Sequence, residues 1–120
     1  MKNKTLVIGA SENPGRYSNL AIRKLRANKI EVIAIGNKSG MVEGVLIDRN
    51  PVKTDEIDTV TLYVNPANQK PYYDYILSLN PRRIIFNPGT ENDELVKMAE
   101  TAGILTLKAC TLVLLSTGQY

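Results

Sequence analysis

Residues 4–36 read KTLVIGASENPGRYSNLAIRKLRANKIEVIAIG, and the order of pattern types in this stretch decides the fold. KTLVI (4–8) is a short β-branched run stopped by Gly9, which predicts a buried strand. From Tyr17 to Lys29 the residues Leu20, Ala21, Lys24, Leu25 and Asn28 recur at i, i+3, i+4 spacing between Arg and Lys. That spacing predicts an amphipathic helix, with Ser18 placed to cap it. IEVIAI (30–35) is a second apolar strand, ended by Gly36. Strand, helix and strand within one short segment make a βαβ unit, whose crossover is right-handed and whose strands are parallel.

Outward from this unit the alternation continues. DTVTLYV (58–64) predicts a strand and Asn68 to Leu79 a helix with Tyr72, Tyr75, Ile76 and Leu79 on one stripe. Arg83 to Phe86 is the next strand, Asn92 to Ala102 a helix with Leu95, Val96 and Ala99 facing inward, and Ile104 to Leu107 the last strand. Val45 to Ile47 is a candidate for a short extra strand, opposed by Pro51 and the neighbouring charges. The tail CTLVLLSTGQY (110–120) is apolar enough to pack on the body as a turn of helix. Regular β/α alternation predicts an α/β protein with one doubly wound, mostly parallel sheet, strand order 3-2-1-4-5 and helices on both faces.

Composition narrows the function classes. The chain has 120 residues, 43% hydrophobic and 22% charged, which suits one folded domain over 1–120. With no His and one Cys, zinc sites built from His and Cys, the Ser-His-Asp triad and an internal disulfide framework are all excluded. The net charge of +3 is too small to indicate a nucleic-acid protein. Its distribution is uneven: residues 1–38 hold eight basic side chains (Lys2, Lys4, Arg16, Arg23, Lys24, Arg26, Lys29 and Lys38) against Glu12 and Glu31. A basic first third suits a small polyanion. About five apolar residues before Gly9 fall far short of a secretory or membrane-spanning segment, so the expected compartment is the cytoplasm, with Cys110 reduced and no membrane partner.

In an open α/β sheet, ligands bind beyond the carboxyl ends of the strands, where the strand order reverses. The residues there repeat a theme: Gly9-Ala10-Ser11, Gly36-Asn37-Lys38, Asn65-Pro66 and Asn87-Pro88-Gly89. Small residues let a ligand approach backbone, and Asn offers both a donor and an acceptor. The first loop feeds a helix N-terminus, which attracts phosphate, and Arg16 and Ser18 add a cation and a hydroxyl suited to diphosphate oxygens. The loop is neither a P-loop nor a G-x-G-x-x-G fingerprint, since Ser11 stands where the second glycine belongs. Nicotinamide-binding folds place an acid about 20 residues on, at the end of the second strand, to hold the ribose 2′-OH. Asn37 and Lys38 occupy that place here. A cation there points to a phosphate on the ribose, a description that NADP and coenzyme A both meet.

The run VIGASENPGRYSNLAIRKL, the exit IGNKSG, the segment IDTVTLYVNP, the motif FNPGTENDELVKMAETAGI and the closing ACTLVLL resemble the stand-alone CoA-binding domain family. That family has a Rossmann-like fold similar to the CoA-binding domain of acyl-CoA synthetases of the succinyl-CoA synthetase type. The resemblance spans about residues 5 to 115, with five segments in the same order. It implies that Gly9, Ala10, Ser11, Arg16 and Ser18 cradle the diphosphate and ribose phosphate. It further implies that Asn37 and Lys38 flank the adenosine end, that Val64, Asn65 and Pro66 line the adenine side, and that Pro88, Gly89 and the following residues to Asn92 border the pantetheine. Two positions depart from the family pattern: Gly36-Asn37-Lys38 stands where Val-Asn-Pro is frequent, and Ala109 precedes Cys110 where Arg is common.

Cys110 is the one candidate nucleophile, and with no His it needs Lys108 or a helix N-terminus to become a thiolate. Asp93 and Glu94 sit in the first turn of a helix, where they complement its dipole. The expectation is therefore a CoA-binding module with no catalytic residues and no metal, acting as a carrier, sensor or partner in acyl-CoA metabolism. Its ligand would be coenzyme A or an acyl-CoA, and its protein partner a second copy or an acyl-CoA enzyme. The competing readings are an NADP-binding oxidoreductase domain, which lacks both a substrate domain and a Tyr-x-x-x-Lys pair here, and a nucleotide-sensing regulator.

Overall fold

A computed structural model describes residues 4–120, so Lys2 of the basic group and the first three positions of the 1–120 domain lie outside the described residues. In chain order the strands are β1 (Lys4–Ile8), β2 (Val32–Ile35), β3 (Gly40–Val42), β4 (Val45–Asp48), β5 (Ile57–Leu62), β6 (Arg83–Phe86) and β7 (Leu105–Lys108). The helices are α1 (Tyr17–Ala27), α2 (Pro66–Gln69), α3 (Tyr73–Leu79), α4 (Asp93–Thr101) and α5 (Thr111–Ser116). All seven strands form one sheet in the order β3-β4-β2-β1-β5-β6-β7, parallel throughout except for the antiparallel β3/β4 pair.

Continuous apolar runs are what a sheet covered on both faces requires. Leu6, Ile8, Ile35, Val60, Leu62, Ile84 and Phe86 pack on one side against Tyr73 and Ile76 of α3 and Leu95 and Ala99 of α4. Val7, Val32, Ala34, Val45 and Ile47 pack on the other against Ile22 and Leu25 of α1, with Leu115 and Tyr120 closing that layer. Tyr120 lies over the buried Arg83 guanidinium, 4.5 Å from its ring centroid, and its hydroxyl bonds Thr5. The doubly wound α/β architecture is thus the one expected.

The expected strand order is corrected. The strand read at 58–64 was placed beyond the second strand, yet β5 pairs directly with β1 over Thr5–Ile8 and Thr59–Leu62. The position next to β2 belongs to β4, which contains the Val45–Ile47 segment and meets β2 at Ala34↔Ile47 and Ile35↔Asp48. A two-residue turn explains how: Glu43 and Gly44 both take positive φ, 49° and 76°, the geometry that folds a tight hairpin. The hairpin occupies the sheet edge and displaces the next parallel strand to the far side of β1.

The helix read at 68–79 is also corrected. Pro71 has no amide hydrogen to continue an α-helical ladder, and the segment divides into α2, a 3₁₀ turn over Lys70–Tyr72, and α3, which ends at Asn80 in the left-handed region. Helix α1 ends two residues short of the expected boundary, and Arg16 rather than Ser18 holds its N-cap position, with no side-chain cap.

At the end of the sheet remote from the strand exits, Asp58 is buried and accepts two bonds from Arg82, at 2.8 and 3.0 Å, and one from the Thr59 hydroxyl at 2.7 Å. Burial alone would raise its pKa, but the Arg82 guanidinium and the Thr59 hydroxyl outweigh it, and the carboxyl is held below its usual range. A depressed folded pKa adds stability that is present above the ordinary carboxylate range and is lost as pH falls through the folded value. Thermal melts of wild type and Asp58→Asn should accordingly differ most at neutral pH and converge in acid; parallel curves would show that the pair adds no pH-dependent stability. No helix among the described residues is long and apolar enough to cross a membrane.

Candidate functional site

The winding reverses between β1 and β5, so their carboxyl ends open a crevice. The chain leaving β1 must pass between two other backbones. Gly9 and Ala10 donate to Ile35 O at 2.8 and 2.9 Å, while a Cβ on Gly9 would stand 2.8 Å from the Tyr63 carbonyl. A Cβ on Gly36 would stand 2.2 Å from Ala10 O. Two glycines therefore let the first loop lie flat across the switch point. Beyond it, the Ser11 hydroxyl accepts from Asn13 N and the Asn13 side chain from Gly15 N, at 3.0 and 2.9 Å. These turns bring the chain to α1 with its first amides uncapped, the arrangement that favours an anion.

Two clefts meet here. The first, about 470 Å³, is lined by Gly9, Ala10, Ser11, Glu12, Asn13, Arg16, Asn37, Lys38, Ser39, Tyr63 and Val64. The second, about 300 Å³, is lined by Gly15, Arg16, Tyr17, Ser18, Tyr63, Val64, Asn65, Pro88, Gly89 and Thr90. Arg16, Tyr63 and Val64 belong to both and form the saddle between them. Of the described basic residues in the first third, only Arg16 and Lys38 reach the clefts, and neither is in an ion pair among the described residues. Lys4, by contrast, lies near Glu31 and Asp55.

The structure gathers every sequence-predicted site residue along these clefts except Pro66 and Asn92. Pro66 is the exposed first residue of α2. Asn92, expected beside the ligand, is instead the buried N-cap of α4: its oxygen accepts from Glu94 N and Leu95 N, and its amide donates to Gln69 Oε1 at 2.9 Å and to the Tyr73 hydroxyl at 2.7 Å. All its polar atoms are engaged in the fold. It acts on the second cleft only through Gln69, whose Nε2 donates to Val64 O at 3.0 Å and Thr90 O at 2.7 Å.

Sequence reasoning missed Tyr63 and Glu12. Tyr63 hides at the end of a strand run that reads as core. Its backbone meets Gly9 at the saddle while its side chain packs into the core, where the hydroxyl is buried with no partner among the described residues and burial pushes the phenol well above its usual range. Asn87 is the hub of the far wall: its Nδ2 donates to Thr61 Oγ1 at 2.6 Å and Leu62 O at 2.8 Å, and its Oδ1 accepts from Thr111 N at 2.8 Å. Its backbone carbonyl accepts from both Thr90 N and the Thr90 hydroxyl. Cys110, half-buried at the N-cap of α5, lines neither cleft. Lys108, the cation nearest to it in sequence, lies 3.5 Å from Asp93. Among the described residues no cluster of three or more His, Cys, Asp or Glu could hold a metal ion.

Comparison with known proteins agrees with the fold. A family model described as CoA binding domain matches residues 3–116. The crystal structure of an uncharacterized protein is 46% identical, with a TM-score of 0.96, over 100% of this chain and 99% of that one. A hypothetical protein from Pyrococcus horikoshii OT3 is 25% identical, with a TM-score of 0.83, over 92% of this chain and 79% of its own. Cell-free ID.343 from Thermus thermophilus, 19% identical with a TM-score of 0.85 over 99% of this chain and 91% of its own, shares the fold. No curated protein matches the chain.

Proposed function

This chain belongs to the CoA binding domain family, and from that premise we propose that it binds coenzyme A or an acyl-CoA in the cytoplasm without turnover of its own, as a carrier, sensor or partner of acyl-CoA enzymes. The observation that supports this reading best is the pair of clefts joined at Arg16. A ligand with two arms and a diphosphate between them matches that shape. The adenosine half, with its ribose phosphate, takes the first cleft beside Lys38. The diphosphate lies at Arg16 and the uncapped start of α1, and the pantetheine runs over Pro88 and Gly89. The reading without turnover draws its support from the chain's chemistry: there is no His, and the single thiol stands outside both clefts.

Calorimetry tests the assignment. CoA should bind more tightly than dephospho-CoA and more tightly than NADP. Replacing Arg16 by Ala should weaken CoA about tenfold, the loss of one charge-assisted contact. The melting temperature of the unliganded protein should stay within a degree or so, because an exposed unpaired cation adds little to folding. NADP binding more tightly than CoA, or an Arg16 variant with full affinity, would overturn it.

A further inference from the structure

We propose that Glu12 supplies, from the first loop, the carboxylate that accepts a ribose hydroxyl, so that Glu12 and Lys38 together select a ribose carrying one phosphate beside one free hydroxyl. The inference rests on the CoA reading and sharpens it.

An acid at the end of the second strand is the usual ribose acceptor in this architecture, and this chain has Asn37 and Lys38 there instead. The structure places an acid in the same cleft by another route. Glu12 Oε2 accepts from Met41 N at 2.9 Å, across 29 positions of sequence. The seat for that carboxylate is made by Gly40: a Cβ there would come within 2.3 to 2.7 Å of the Glu12 side chain. A missing side chain on one strand and a backbone donor on the next residue thus fix the acid against the hairpin, two and three positions past Lys38. Both Glu12 and Lys38 line the first cleft. Among the described residues the carboxylate has no cation within ion-pair distance and no second hydrogen-bond partner, which leaves Oε1 available as an acceptor.

The pair divides its work by charge. A carboxylate accepts a hydroxyl proton and repels a phosphate, whereas an ammonium attracts the phosphate. A ribose with two free hydroxyls forgoes the Lys38 contact, and one lacking a free hydroxyl leaves Glu12 Oε1 without a donor from the ligand.

Adenosine 3′,5′-bisphosphate and its 2′-deoxy analogue, titrated as competitors of CoA, test the role of Glu12. Wild type should prefer the ribo form about fivefold to tenfold, the effect of one hydrogen bond to a charged group. Glu12→Gln keeps an acceptor for Met41 N and should bring that ratio to about one with an unchanged melting temperature. Gly40→Ala, which displaces the carboxylate, should do the same. Lys38→Ala should weaken both competitors alike and leave the ratio intact. Equal binding of the two competitors by wild type, a ratio that survives Glu12→Gln, or failure of both to displace CoA would overturn the role of Glu12 while leaving CoA binding in place. Absence of CoA binding in the direct titration would overturn the underlying reading as well.

Discussion

Gly36→Ala should remove about 3 kcal/mol of stability, the upper part of the ordinary range for overpacking, and most of the CoA affinity with it. The added methyl would meet Ala10 O at 2.2 Å. That atom is backbone, so no rotamer change relieves the clash. Either β2 or the first loop must move, and the loop is held by the Gly9 and Ala10 bonds to Ile35 O. Displacing it opens the floor of the first cleft. Urea unfolding should show a lower midpoint with an unchanged slope, since the denatured state is not altered in compactness. Gly44→Ala is the matched control: nothing lies within 4 Å of its Cβ, and only its φ of 76° resists, at about 1 kcal/mol. Gly36 itself has no positive φ, so a loss at Gly36 no larger than that at Gly44 would show that the backbone gives way and that the close approach to Ala10 is not what requires glycine there.

Asn87→Ala should be comparably severe for a different reason. Truncation leaves Leu62 O and Thr111 N, both buried behind the second cleft, without their side-chain partner. Each buried polar group left unsatisfied costs about 1–3 kcal/mol, which puts the total at about 3 kcal/mol or more. The Thr61 hydroxyl keeps its bond to the Thr111 hydroxyl at 2.8 Å and softens the loss. Because α5 is seated on the Asn87 side chain through Thr111 N, whereas the Pro88–Thr90 turn is held by the Asn87 backbone carbonyl that alanine retains, amide exchange should accelerate first in α5 and later, if at all, in that turn. Wild-type exchange in α5 would sink the assignment of Asn87 as the hub.

The parts of the fold legible in the sequence are those decided by local pattern. KTLVI and IEVIAI could only be buried strands, and the helix between them carries its own periodicity. Strand order was not legible, because β4 joins β2 through two residue pairs and the hairpin that takes it there depends on a Glu43-Gly44 turn whose neighbours read as charged loop. The helix expected at 68–79 runs through Pro71, a breaker that the tyrosine stripe disguises. At the site, the strand-exit rule finds Gly9, Ala10, Ser11, Asn37, Lys38, Asn65, Pro88 and Gly89 along the clefts because position after a strand is a local property. Glu12 was invisible for the opposite reason. Its meaning lies in Gly40 and Met41, which the sheet, not the chain, brings to it. Asn92 shows the reverse error, where a residue type suited to a ligand is used up by helix capping.

The order in which β1 gains its neighbours matters while the chain is being made. β1 precedes every other described strand, acquires β2 by residue 35, and stays open on its other edge until β5 is complete at residue 62. At ordinary translation speeds of about 5–20 residues per second, that edge of Leu6, Val7 and Ile8 is unpaired for roughly one to five seconds, a period of exposure to wrong pairing. The first cleft, by contrast, draws its walls entirely from residues up to Val64, so the step that closes the vulnerable edge also completes the nucleotide end of the site. The second cleft waits for Pro88 to Thr90, and the two halves of the binding surface are synthesised at different times.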